Sequence, residues 1–212
     1  MKILILSLLI AFSSNSGCFK KQKNCCPKHK NIENISGFLT LAENYSKEND
    51  MLIIRNADGK VWYKFSFFYD DKNGQYEFYN MNFKPFSFHP DYFNLFIGVT
   101  KRKENSFLVN VNHDKNLIKS ISLAESNYLK FLSWDELLLK NVYSIAFEKD
   151  YIYKEINDSK IQIDKTNVTR VIPEELRGNW MKVRVESKNN LSVNGWINWR
   201  NDKCLLVELL YF

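Results

Sequence analysis

The side chains best suited to nucleophilic, acid–base or metal chemistry in this 212-residue chain are three histidines and four cysteines, and their spacing assembles none of these. Catalysis needs a nucleophile within hydrogen-bond reach of a tuned base. His89 stands in Ser87-Phe88-His89-Pro90-Asp91, where Pro90 imposes an extended turn and no second histidine is close in sequence. His113 falls in the turn Asn112-His113-Asp114, and His29 in a lysine-rich run. Cys25-Cys26-Pro27-Lys28-His29 offers too few ligands for a closed metal site, and a bond between neighbouring cysteines would be strained. Cys204 opens an apolar strand pattern and reads as a small core residue. Asp70-Asp71-Lys72-Asn73-Gly74 is a turn, since Tyr69 stands where a calcium loop needs its first aspartate. The expectation is a non-catalytic protein, with no catalytic residue, metal site or cofactor.

What must position any binding surface begins with the N-terminus. Lys2, the apolar run from Ile3 to Phe12 and the small residues Ser16 and Gly17 form the pattern of a secretory signal over residues 1–17. The run is too short to span a bilayer comfortably. With Cys18 following Gly17 the segment resembles a bacterial lipoprotein signal, although Asn15 stands where that pattern usually carries an apolar residue. The resemblance implies cleavage before Cys18, lipidation of its thiol, and a membrane partner reached through acyl chains worth about 0.8 kcal/mol per buried methylene. Phe19, in place of the aspartate associated with inner-membrane retention, points to the outer membrane of the cell envelope. Without lipidation at Cys18 the protein would be secreted. Residues 18–32, rich in lysine and free of acids up to Asn31, read as a flexible tether, with contact of Lys20, Lys21, Lys23, Lys28 and Lys30 to anionic headgroups as the alternative.

A formal charge of +6 raises the question of nucleic acid, but part of the excess sits in that tether and the remaining lysines mix with Asp and Glu. No run interleaves basic and stacking residues in a recognisable motif, so nucleic acid is excluded as a partner. The abundance of Lys, Asn and Ile reflects a coding bias more simply than a function.

From Gly37 the chain reads as strands, giving a mainly β protein. Met51–Arg55 and the alternating run Lys60–Tyr69 flank Asn56-Ala57-Asp58-Gly59, a hairpin signal, and Gln75–Phe83 adds a third strand. Asn94–Thr100, Ser106–Val111 and Leu117–Ser122 continue the pattern. Ser122 with Glu125 and Ser133 with Glu136 match capping-box spacing, so a short helical patch is expected between Leu123 and Lys140, before another strand at Val142–Glu148. Residues 33–147 would form an antiparallel β-rich domain. Phe65, Phe67, Phe68, Tyr76, Phe78 and Tyr79 supply aromatic surface there, which allows an alternative role as a secreted or anchored inhibitor or immunity-type protein.

Beyond Tyr151 come short strands: Ile152-Tyr153, Val168–Ile172, Trp180–Glu186, Gly195–Trp199 and Cys204–Phe212. In Trp180-Met181-Lys182-Val183-Arg184-Val185 the odd-numbered residues face a core. A small closed or nearly closed barrel over residues 148–212 would bury them. Gly178-Asn179-Trp180-Met181-Lys182-Val183 and Gly195-Trp196-Ile197 resemble the bacterial SH3-like domain family. Gly178, Gly195 and Trp196 are then structural: Gly195 permits close backbone approach and Trp196 is an apolar plug. The final strand is longer than the family usually has and is expected to pack on the preceding domain. The resemblance implies binding of a cell-wall peptide or glycan, or of an envelope protein, with Tyr153, Trp180, Trp199 and Tyr211 as candidate aromatic contacts.

Overall fold

The computed structural model describes residues 30–46, 49–65, 69–70, 75–76, 80–89 and 92–211. The leader, Cys18 and most of the tether lie outside them, as do the turn at 71–74 and Asp91. Among the described residues the protein is mainly β, with one α-helix.

The first half supplies β1 (Gly37–Leu41), β2 (Leu52–Arg55), β3 (Val61–Phe65), the short pair β4 (Tyr69–Asp70) and β5 (Gln75–Tyr76), and β6 (Ser87–His89). Next come β7 (Asn94–Arg102), β8 (Ser106–Asn112), β9 (Leu117–Ser122) and β10 (Leu129–Leu132). They form one antiparallel sheet in the order β10-β1-β7-β8-β9-β2-β3, with β6 on β7, while β4 and β5 pair separately. The β2–β3 hairpin closes where expected, with Gly59 at φ +83°, a backbone region that favours glycine. The expected third strand, 75–83, is described as strand only at β5, which pairs antiparallel with β4 at the end of the expected second strand, and β2 has β9 as its other neighbour.

β7 explains the architecture. Leu95, Ile97 and Val99 enter one core, whereas Phe96 enters another and Gly98 abuts Ile35 there. Side chains alternate across a strand, so a strand apolar at consecutive positions must be covered on both faces. The first core is built within the large sheet, with Leu52, Ile54, Val109 and Ile121. The second core joins the sheet to α1 (Trp134–Lys140) and to the C-terminal half. Ser133 and Glu136 make the full capping box at the start of α1, which buries Trp134, Leu137 and Leu138. At Ser122 the structure departs from expectation. Leu123–Glu125 is a single 3₁₀ turn with no side-chain cap, because Glu125 is drawn into an ion pair with Arg55.

After β11 (Ser144–Phe147) the chain forms β12 (Tyr151–Tyr153), β13 (Lys160–Gln162), β14 (Val168–Arg177), β15 (Trp180–Ser187), β16 (Ser192–Asn198) and β17 (Val207–Leu210). Five of them form an antiparallel sheet ordered β13-β12-β16-β15-β14. The expected closed barrel is not present: β13 and β14 remain unpaired edges of this sheet among the described residues. Closure fails because β17, the apolar strand that would have completed it, leaves to pair antiparallel with β11. Val207 and Leu205 thereby join the core that also holds Phe38, Trp134, Met181 and Val183. One hydrophobic core therefore crosses the boundary expected at 147/148.

The tether, too, ends earlier than expected. Ile32 N–H donates to the Lys203 carbonyl at 2.7 Å, Leu205 N–H donates to the Lys30 carbonyl at 3.0 Å, and Ile32 is buried. Residues 30–32 are thus part of the fold because they satisfy the strand leading into β17. Cys204, opposite Asn31 in this pairing, is buried as expected and is held in a disulfide.

Gly178 sits at φ +59° in the two-residue connection between β14 and β15, a left-handed backbone conformation that favours glycine at the first turn position. Gly195 serves a different need. A Cβ there would stand 2.6 Å from both Ile152 Cδ1 and the Tyr153 carbonyl oxygen. Since the carbonyl belongs to β12 itself, Gly195→Ala must push β12 from β16, and a loss of about 1–3 kcal/mol is expected, the usual cost of overpacking. Denaturant unfolding of the variant against wild type measures it.

Candidate functional site

The outer face of the five-stranded sheet carries the aromatic residues. In β12, Ile152 is fully buried while Tyr151 and Tyr153 point outward and are half-buried. Tyr153 is cross-strand from Trp196 of β16, and Trp196 from Lys182 of β15. This register places Tyr153 beside Trp180, edge to face at 5.3 Å between ring centroids, and Tyr151 meets Tyr153 likewise at 5.5 Å. Cations surround the rings: Lys160 Nζ lies 4.1 Å from the Tyr151 centroid and Arg177 Cζ 4.8 Å from that of Trp196. The Tyr151 phenol is pulled below its usual pKa by a hydrogen bond with Tyr153, reinforced by Lys149 and Lys160. A cavity of about 140 Å³ opens beside Tyr151 and Tyr153, bounded also by Ile197, Asn198 and Leu206. The Asn198 Oδ1 atom is buried without a hydrogen-bond partner.

A larger cavity, about 600 Å³, lies on the other side of Phe147, Glu148 and Leu206, which border both. Ser87 and His89 of β6 form one wall, Leu205–Leu209 another, and Lys30 and Tyr211 contribute polar groups. Lys30 is exposed as a residue, but its ammonium donates to the Phe86 carbonyl and lies 4.4 Å from the Phe86 ring centroid. Burial lowers its pKa, with the charge of Glu208 acting in the opposite sense. Tyr211 packs on Phe96, centroids 5.1 Å apart. Burial raises the pKa of its hydroxyl, and neither it nor Ser87 Oγ has a hydrogen-bond partner.

The four aromatic residues expected to touch a ligand therefore part company. Tyr153 and Trp180 are together on the outer face, and Tyr211 lines the larger cavity. Trp199 is corrected to a core residue. It is 1% exposed, packs on Trp134 at 5.2 Å, and its Nε1–H donates to the Gly178 carbonyl at 3.2 Å, leaving neither ring face nor donor for a ligand. Trp196 shares the outer face with Tyr153 and Lys182 by register, and is 2% exposed there. In the first half, Phe65 is buried among Tyr63, Phe83 and Phe88, Tyr76 is described only as backbone of β5, and Phe67, Phe68, Phe78 and Tyr79 are outside the described residues.

Sequence reasoning missed Tyr151, although the alternation Tyr151-Ile152-Tyr153 signals it. Nothing local marked Ser87 or Lys30 as neighbours of Tyr211, because they come from three distant segments. His113 lies in the expected turn, with both ring nitrogens buried without partners beside Phe86. Among the described residues, no three His, Cys, Asp or Glu side chains are grouped to hold a metal ion. No described helix is long and apolar enough to cross a membrane. The chain matches no protein-family model, no curated protein and no solved structure.

Burial, and then the charge of Lys30, depress the His113 pKa from 6.5 to about 4. A histidine held neutral contributes its full stability above the unfolded value and loses it as pH falls through the folded value. Each tenfold change in proton affinity is worth about 1.36 kcal/mol. Wild type should therefore lose up to about 3 kcal/mol between pH 6.5 and pH 4 that a His113→Phe variant retains. Urea titrations across that range check the difference.

Proposed function

We propose that this is a non-catalytic binding protein of the bacterial cell envelope. It is exported by residues 1–17, is anchored by lipid on Cys18, with the outer membrane as destination, and holds a cell-wall component or an envelope protein on its C-terminal half. We read that half as an opened relative of the SH3-like domains on the strength of its Gly178–Val183 and Gly195-Trp196-Ile197 motifs, with the last strand paired to β11 instead.

One observation carries this reading. Tyr151, Tyr153 and Trp180 form a partly exposed aromatic surface beside a cavity, while Trp196 of β16 and Trp199 just after it are buried. Rigid rings with polar edges contact extended peptides and sugars at small entropic cost, and they concentrate binding energy in a few residues. The surrounding lysines and arginine favour ligands with acceptor groups. The disulfide at Cys204 suits an oxidising compartment outside the cytosol.

Full-length protein should retain solubilised wall fragments or envelope proteins in a pull-down. Tyr153→Ala and Trp180→Ala should each weaken capture roughly tenfold, a hot-spot-sized effect, with unfolding midpoints little changed. Undiminished capture by both variants would remove the aromatic face from the function. Labelled palmitate should enter wild type and not Cys18→Ser, and equal labelling would exclude the anchor at that thiol.

A further inference from the structure

The larger cavity contains polar groups whose hydrogen-bonding capacity is not filled. The Lys30 ammonium is turned inward against Phe86, yet no carboxylate lies within ion-pair distance of it among the described residues. Ser87 Oγ and Tyr211 Oη are buried and unpartnered. The ammonium has one acceptor, the Phe86 carbonyl, and no counter-charge, while the two hydroxyls have no acceptor at all; this is unfavourable, and one group that supplies charge and acceptors to all three is a carboxylate. Glu148 and Glu208, exposed at the rim, disfavour a second negative charge on the same ligand.

The wall opposite β6 indicates what carries that carboxylate. Leu205, Leu206, Val207, Glu208 and Leu209 are consecutive, and all border the cavity. Successive strand residues point to opposite faces, so a strand that lines a space with every residue presents its edge to it. Among the described residues β17 pairs on one side only, with β11. The N–H groups of Leu205 and Leu206 already donate to the Lys30 and Trp199 carbonyls, so the open part of the edge is Val207–Leu209 of β17, and an open edge offers unpaired backbone groups to an extended chain. The volume of about 600 Å³ lies within the range of small-ligand sites.

We propose that this cavity takes the C-terminal end of an extended peptide, its backbone laid along the edge of β17 and its terminal carboxylate held by Lys30 with the hydroxyls of Ser87 and Tyr211. The inference rests on the binding-protein reading above and names the ligand class of a second subsite next to the aromatic face.

The test uses the full chain in detergent and an N-terminally fluorescein-labelled penta-alanine, offered as the free acid and as the C-terminal amide, with affinity read by anisotropy. The acid should bind roughly tenfold tighter than the amide, the difference expected when a charge-assisted contact is lost. Lys30→Met and Tyr211→Phe should each reduce that preference to below about twofold, and Lys30→Arg should keep it, which separates loss of charge from loss of fold. Equal binding of acid and amide by wild type would overturn the site, as would a preference unaffected by Lys30→Met. Retention of wall fragments or envelope proteins by wild type in the same preparation would then leave the binding-protein reading standing. A preserved acid preference in protein that captures neither would keep the peptide site and overturn the broader reading.

Discussion

The structure depends on a sheet that must be covered twice. β7 and its neighbour β1 are apolar at consecutive positions, with Phe38 and Phe96 directed to one side and Leu39, Leu95 and Ile97 to the other. The large sheet can supply one cover from its own curvature and side chains. The second cover has to come from elsewhere, and α1 with the inner face of the C-terminal sheet provides it through Trp134, Leu138, Met181 and Trp199. Exposing that face would leave a row of large side chains in water, at about 1.5–3 kcal/mol for each.

Recruitment of β17 follows from the same requirement. A small sheet of five strands gains by closing on itself, but the residues around β17 include Leu205 and Val207, which fill space between the two halves. Pairing β17 with β11 buries them there and leaves the C-terminal sheet open. Residues 30–32 then complete the strand entering β17, and Trp199 Nε1 is tied to Gly178 across the same region. A short helix, a turn glycine and both ends of the described chain are thus coupled through one core.

The binding surfaces are by-products of this compromise. Leaving the sheet open keeps Tyr151, Tyr153 and Trp180 partly exposed, because no further strand covers that face among the described residues. Drawing β17 away opens the larger cavity between its edge and β6, with Phe147, Glu148 and Leu206 as the ridge separating the two spaces. Affinity on a protein surface concentrates in rings and desolvated polar groups, and both are found along this ridge.

What the residues decided on their own was local. Alternation of apolar and polar side chains placed most strands, Asp58-Gly59 closed the β2–β3 hairpin, and Ser133 with Glu136 started α1, since each depends on neighbours a few positions apart. The close approach at Gly195 was legible for the same reason, since a glycine inside a strand marks a tight crossing. Tertiary packing decided the rest. Trp180 opens β15 and Trp199 directly follows β16, the same residue type in similar local sequence, and packing on Trp134 takes Trp199 into the core while Trp180 stays partly exposed. The edge partner of β17, and the meeting of Lys30, Ser87 and Tyr211, involve segments that share no periodicity, so they were settled by where apolar area could be buried and unpaired backbone satisfied together.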